Sequence, residues 1–283
     1  MNKTPTGFVF AGGGSLGAVQ VGMLRALLEA GVHPDFVVGA SVGAINSAYF
    51  AGAPDLDGVS RLEKIWSGLK RADIFPMSAA RMFGLLRHPD YIMDLTGLRR
   101  LIETHLGFRN FEDARVPLHV MATDQQGMSV RLSSGPLIEA ILASAAVPGV
   151  FPTVQIAGRH LMDGAIAANT PLRLAVELGA MRIIVLPTGY ACALQKPPKG
   201  VIGRTLHAIT LLIAWQLMQE LEALPEEIQV HMAPALCPLD VSPYDFSAAP
   251  SLIERATAET RRWIAKGGLD RRARASELSA HRH

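Results

Sequence analysis

Apolar positions along the chain switch between two periods, and glycines mark the places where one gives way to the other. Phe8-Val9-Phe10-Ala11 is a short unbroken apolar run that reads as a buried strand, and Gly12-Gly13-Gly14-Ser15-Leu16-Gly17 follows at once. Leu16, Val19, Met23, Leu24, Leu27 and Leu28 then recur at helical spacing until Gly31 closes the helix. A second apolar run at 36–38 enters Gly39-Ala40-Ser41-Val42-Gly43 and a small-residue helix that Gly52 stops. Val59, Leu62, Ile65, Trp66 and Leu69 share one face of a helix over 55–69.

From 73 to 95 the pattern breaks up around Pro76 and Pro89, leaving Met77, Met82, Phe83, Leu85 and Leu86 beside Arg81, Arg87 and His88. This reads as a packed connector, or as a lid whose adaptable methionines line an apolar channel. Further on, 98–106 is a short helix, 117–124 a strand ending at Asp124 with 129–132 returning, and 137–146 a helix stopped by Pro148. Phe151-Pro152 opens a hairpin whose second arm runs from His160 to Asp163, where Gly164-Ala165 turns. Asn169 or Thr170 is placed to cap a helix with Pro171 at its first position. Residues 182–187 form a buried strand, 206–221 a strongly apolar helix ended by Pro225, and Ile228, Val230 and Met232 alternate as a strand. Ser251-Leu252-Ile253-Glu254 has capping-box spacing before a last helix that Gly267-Gly268 ends.

The 283 residues fit one large α/β domain, 1–283, with a mobile tail from about 268. A charged fraction of 18% and a formal charge of +2 give no nucleic-acid footprint. Cys192 and Cys237 have neither disulfide nor zinc spacing, so no metal or cofactor is expected. No apolar leader precedes the first strand, which favours a cytoplasmic address. His207, Gln216, Gln219 and Glu220 interrupt 206–221, which therefore falls short of a spanning segment. That helix reads as a core or dimer element, with peripheral contact to a membrane as the alternative.

Chemistry concentrates at the two glycine clusters. In G-x-S-x-G the serine sits on a strand-to-helix corner with its hydroxyl projecting, which makes Ser41 a candidate nucleophile. The cluster from Gly12 to Gly17 lies where a strand meets a helix N-terminus, a place that favours negative charge. It satisfies G-x-G-x-x-G, yet the second strand ends in Gly39-Ala40-Ser41 and lacks the acid that a dinucleotide ribose needs, so an oxyanion is the better occupant. Asp124 and Asp163 both end strands beside turns. His160 lies three residues before Asp163 on a strand and points to the opposite face, while His33, His88, His105, His119, His207 and His231 have no motif around them.

These pieces together resemble the patatin-like phospholipase family. The resemblance rests on Gly12–Gly17, on Gly39-Ala40-Ser41-Val42-Gly43, on Ala143-Ser144-Ala145-Ala146-Val147-Pro148-Gly149-Val150-Phe151-Pro152, and on Asp163-Gly164-Ala165, in that order. It implies a three-layer α/β/α fold around a mostly parallel sheet and a lipid acyl hydrolase. Ser41 would be its nucleophile, Asp163 the base, and the N–H groups of Gly12, Gly13 and Gly14 its oxyanion hole. The fifth position of the glycine motif, often Arg or Lys in the family, is Leu16 here, which weakens any preference for an anionic headgroup. An acyltransferase on the same two residues, or a non-catalytic lipid- or nucleotide-binding module, is the alternative. Acyl-chain length, headgroup, calcium dependence and oligomeric state are not written in the sequence.

Overall fold

The computed structural model describes residues 4–75, 91–189, 200–237, 239 and 241–275. The stretch with Met77, Met82, Phe83, Leu85, Leu86, Arg81, Arg87 and His88 lies outside the described residues, as does Cys192, so the lid expectation is not addressed by the structure.

Eight strands make one sheet. They are β1 (Thr6–Phe10), β2 (Phe36–Ala40), β3 (Leu118–Asp124), β4 (Ser129–Leu132), β5 (Val154–Ile156), β6 (Arg159–Asp163), β7 (Arg182–Leu186) and β8 (Gln229–Met232). Their order is β5-β6-β3-β2-β1-β7-β8, with β4 paired to β3 off this path. The run from β3 to β8 is parallel, while β4, β5 and β6 are antiparallel additions. The mostly parallel three-layer expectation is borne out. Because β1 pairs with β2 on one side and β7 on the other, the chain reverses its direction of travel across the sheet beside β1. Open α/β sheets bind ligands at the carboxyl edge of such a point.

Ten α-helical segments are described: α1 (Ala18–Glu29), α2 (Val42–Gly52), α3 (Leu56–Gly68), α4 (Arg71–Ile74), α5 (Thr96–His105), α6 (Leu137–Ser144), α7 (Ala165–Ala168), α8 (Leu172–Glu177), α9 (Gly200–Ala223) and α10 (Ala249–Ala265). Side-chain alternation along the strands divides the core. Phe8, Phe10, Val37 and Ile184 pack into a cluster with α1, α2, α3, α5, α6 and α10. Val9, Val38, Ile183 and Val185 pack on the other face with α8 and with Leu217 and Leu221 of α9.

Local expectations held within a residue or two for most elements and failed in two places. The last helix begins at Ala249 with Pro250 in its first turn, so Ser251 lies inside it and donates to the Ala248 carbonyl instead of capping. Pro171 stands at the N-cap of α8, one position before the expected one, and neither Asn169 nor Thr170 caps it by a side chain. The chain beyond 268 is held as far as Ala275: Ala273 N–H donates to the Val230 carbonyl at 2.7 Å and Arg272 Nε to the Ile228 carbonyl at 3.0 Å.

Candidate active site

Ser41 sits between β2 and α2 with φ 54° and ψ −126°, a region that a side-chain-bearing residue enters only under constraint. The constraint comes from its glycines. A β-carbon on Gly39 would lie 2.4 Å from the Gly43 carbonyl oxygen, and one on Gly43 would lie 2.2 Å from that of Phe10. The strand and helix arms therefore close on each other, and the serine is pushed out at the corner, as the motif predicts.

The carboxyl end of α6 locks this corner to the candidate base. Ser41 N–H donates to Ser144 Oγ at 2.9 Å. The last turn of a helix leaves carbonyls without partners, and here Gly164 N–H donates to the Ser144 carbonyl at 3.1 Å and Asp163 N–H to that of Ala146 at 3.0 Å. The Ala143-Ser144-Ala145-Ala146 stretch thus holds both residues by backbone and hydroxyl contacts. The Ser41 hydroxyl donates to Asp163 Oδ2 at 2.7 Å, and Ala165 N–H donates to Oδ1 at 2.8 Å. Asp163 is only 3% exposed, and its burial pushes the carboxyl up to about 6 against the two hydrogen bonds that favour its charge.

One N–H of the glycine loop is already spent within the fold. The Gly12 N–H is committed, donating to the Asn169 carbonyl at 3.1 Å, so it is not a free oxyanion donor. The Gly12 carbonyl accepts from Thr188 Oγ1 at 2.5 Å, and Ser15 N–H donates to the Pro243 carbonyl at 2.8 Å. Between these anchors, the N–H groups of Gly13 and Gly14 have no acceptor among the described residues, and Gly14 turns at φ 60°. Val42 N–H opens α2 and is likewise unpaired among them. A buried carboxamide chain fixes the loop from behind. Trp66 Nε1–H donates to Asn46 Oδ1, Asn46 Nδ2 donates to Gln20 Oε1 and the Gly17 carbonyl, and Gln20 Nε2 donates to the Ala11 and Leu186 carbonyls. Sequence patterning gave no signal for this chain, because each partner is distant along the sequence.

Among the described residues no histidine takes part in the pair. His160 is exposed and its Nδ1 lies 3.3 Å from Thr153 Oγ1, His231 contacts the Arg271 carbonyl at 3.0 Å, and His119 stands edge-on to Phe36. His88 and the side chain of His207 lie outside the described residues. Asp124 orders its own turn, accepting from Gln126 and Met128 N–H groups. No group of three or more His, Cys, Asp or Glu suited to a metal occurs among the described residues.

Ser41, Asp163, Gly13 and Gly14 open on a cavity of about 910 Å³. Its walls are mainly apolar, with a cluster in which Phe75 stacks on Phe151 at 5.8 Å and meets Tyr244 at 6.0 Å. Ile209, Leu212 and Trp215 of α9 line the same cavity while keeping much of their area exposed. Among its described side chains, α9 is a core element at Leu217 and Leu221 and an exposed one at Ile209, Leu212 and Trp215. Among the described residues no helix is long and apolar enough to cross a membrane.

The patatin-like phospholipase family model matches residues 8–176. This chain belongs to that family. The matched span carries all four sequence motifs, from the glycine loop to Asp163 and just beyond. The patatin-like phospholipase domain-containing protein M110.7 of Caenorhabditis elegans is 32% identical over 190 residues, which cover 65% of this chain and 17% of that protein. Neuropathy target esterase sws of Drosophila melanogaster is 28% identical over 192 residues, 65% of this chain and 13% of that protein. The aligned part is thus less than a fifth of these relatives' length. The crystal structure of VipD from Legionella pneumophila shares the fold at a TM-score of 0.51 and 15% identity, covering 95% of this chain and 67% of that one.

Proposed function

We propose that this patatin-like domain hydrolyses carboxylic esters of lipids, with Ser41 as nucleophile and Asp163 as its base. The observation that carries the proposal is the 2.7 Å hydrogen bond from Ser41 to a buried carboxylate at the end of a large apolar cavity. A serine hydroxyl attacks an ester carbonyl once a positioned base takes its proton, and burial makes Asp163 a stronger base than a solvated aspartate. Attack forms the bond from Ser41 Oγ to the acyl carbon and places negative charge on the carbonyl oxygen. The free N–H groups of Gly13 and Gly14, joined by that of Val42, supply donors for this charge. Collapse returns the proton to the departing alcohol and leaves an acyl-serine, which water then cleaves with the same base.

The aromatic and aliphatic walls suit an acyl chain, and the exposed apolar side chains of α9 at the cavity rim suit contact with a membrane surface. The test is hydrolysis of p-nitrophenyl esters of graded chain length and of phospholipid vesicles by the wild type and by Ser41→Ala. The wild type should prefer medium or long chains, and Ser41→Ala should lose roughly a thousandfold or more while staying folded. Full activity in Ser41→Ala would refute the assignment.

A further inference from the structure

Asn169 is 6% exposed, and its side-chain oxygen is enclosed without a hydrogen-bond partner. Its backbone is fully employed: the N–H donates to Gln216 Oε1 at 3.4 Å and the carbonyl accepts from Gly12 N–H at 3.1 Å. The carboxamide itself makes no hydrogen bond among the described residues. This contrasts with Gln20 and Asn46, the buried carboxamides behind the glycine loop, which bond at both ends. An unpaired buried polar group costs about 1–3 kcal/mol, so its persistence calls for a partner that comes and goes. Its position names the partner. Asn169 Oδ1, Ser41 Cβ and Ala165 Cβ all lie within 3.2 Å of one point, the place where a β-carbon on Gly12 would sit. The idle carboxamide thus stands beside the serine, on the wall of the same cavity.

We propose that Asn169 is a positioning residue for the water that releases the acyl group, and that it biases the acyl-serine toward water over alcohols. The inference rests on Ser41 and Asp163 acting as described above. In deacylation the water oxygen bonds to the acyl carbon, and one of its protons passes to Asp163. The tetrahedral adduct then expels Ser41 Oγ, which recovers that proton, and a carboxylic acid leaves. A water has a second O–H to place in this largely apolar site, and Asn169 Oδ1 accepts it. An alcohol has one O–H, which Asp163 takes, so it gains nothing from the carboxamide. The amide torsion of asparagine is broad and lets the oxygen turn toward the water.

The experiment is competition for a single intermediate. The wild type, Asn169→Leu and Asn169→Asp are given a p-nitrophenyl ester with a fixed concentration of methanol. Free acid and methyl ester are then quantified, with p-nitrophenol release followed from the first turnover. In Asn169→Leu the ratio of methyl ester to acid should rise about tenfold, the worth of one hydrogen bond, and a one-equivalent burst should appear as deacylation slows. Asn169→Asp keeps the acceptor oxygen and should hold the wild-type ratio within about twofold. If Asn169→Leu does not fold, Asn169→Ala is read the same way. An unchanged ratio, at any overall rate, overturns the inference while acylated Ser41 still stands, because a merely structural defect slows both outcomes alike. Absence of any acyl-Ser41 in the wild type overturns both.

Discussion

α1 and α9 are both apolar helices packed on the central sheet, one on each face, and they end in opposite situations. α1 is buried along nearly its whole length because α10 lies over it, and Gly22 allows the approach: a β-carbon there would come within 2.3 Å of the Ile253 carbonyl oxygen. α9 buries Leu217 and Leu221 against the sheet, but Leu212 stays 65% and Trp215 59% exposed. An apolar helix is a core element only where a second layer covers it. Among the described residues none covers the outer face of α9 at Leu212 and Trp215, and that face borders the cavity of Ser41. The covered side fixes the glycine loop, while the open side holds the segment after Asp163 through Gln216 and Glu220.

The largest effect expected is at the pair that joins the two sides. Asp163→Asn should lower kcat/KM by roughly a thousandfold or more, and it should also stabilise the fold. The sign follows from burial. A carboxyl raised to about 6 in the folded protein, from an ordinary aspartate value of about 3.8, contributes most below pH 4 and loses that contribution as pH rises through 6. At pH 7 it costs on the order of 1–3 kcal/mol, which the amide removes; thermal melts of wild type and variant at pH 5 and pH 8 check this. In the wild type, kcat/KM should rise with pH along an acid limb near 6, and a flat profile down to pH 4 would count against Asp163 as the base.

Substitutions on the two helices separate covered from open. Leu24→Ala in α1 should cost about 2–5 kcal/mol in denaturant unfolding. Leu212→Ser in α9 should cost under about 0.5 kcal/mol yet lower activity on phospholipid vesicles several-fold, with short soluble esters little affected. Equal losses of stability would erase the distinction. The smallest effect on turnover is at Glu220, whose burial pushes its carboxyl up to about 7. Its stabilising contribution is complete below about pH 4.5 and is largely gone once pH passes 7, so Glu220→Gln should flatten the melting temperature between pH 5 and 8 and raise it at pH 8.

The sequence makes legible whatever short spacing encodes. Ser41 on its corner, Asp163 at a strand end and the glycine loop are readable because each motif is a local geometry that glycines or turn residues impose. What could not be read was set by partners far along the chain. Ser41 meets Asp163 across 122 residues and Ser144 across 103, and Ser15 reaches Ser242 across 227. Gly12 could be counted as a donor from its motif, but only the fold shows its N–H already spent on Asn169. The Ser251 spacing resembles a cap, yet the helix has Ala248 at its N-cap and starts three residues earlier than that spacing implies. The sequence offers Asn169 or Thr170 as a helix cap, and the idle carboxamide of Asn169 is visible only with Ser41 beside it.

The central claim is that the reaction passes through an ester on Ser41. Rapid quenching of the wild type during turnover of a long-chain p-nitrophenyl ester, followed by mass measurement of the protein and its peptides, tests it directly. The account predicts one acyl group per chain on the peptide containing Ser41, absent from Ser41→Ala. Turnover with no acylated protein, or with the acyl group on another residue, would contradict it.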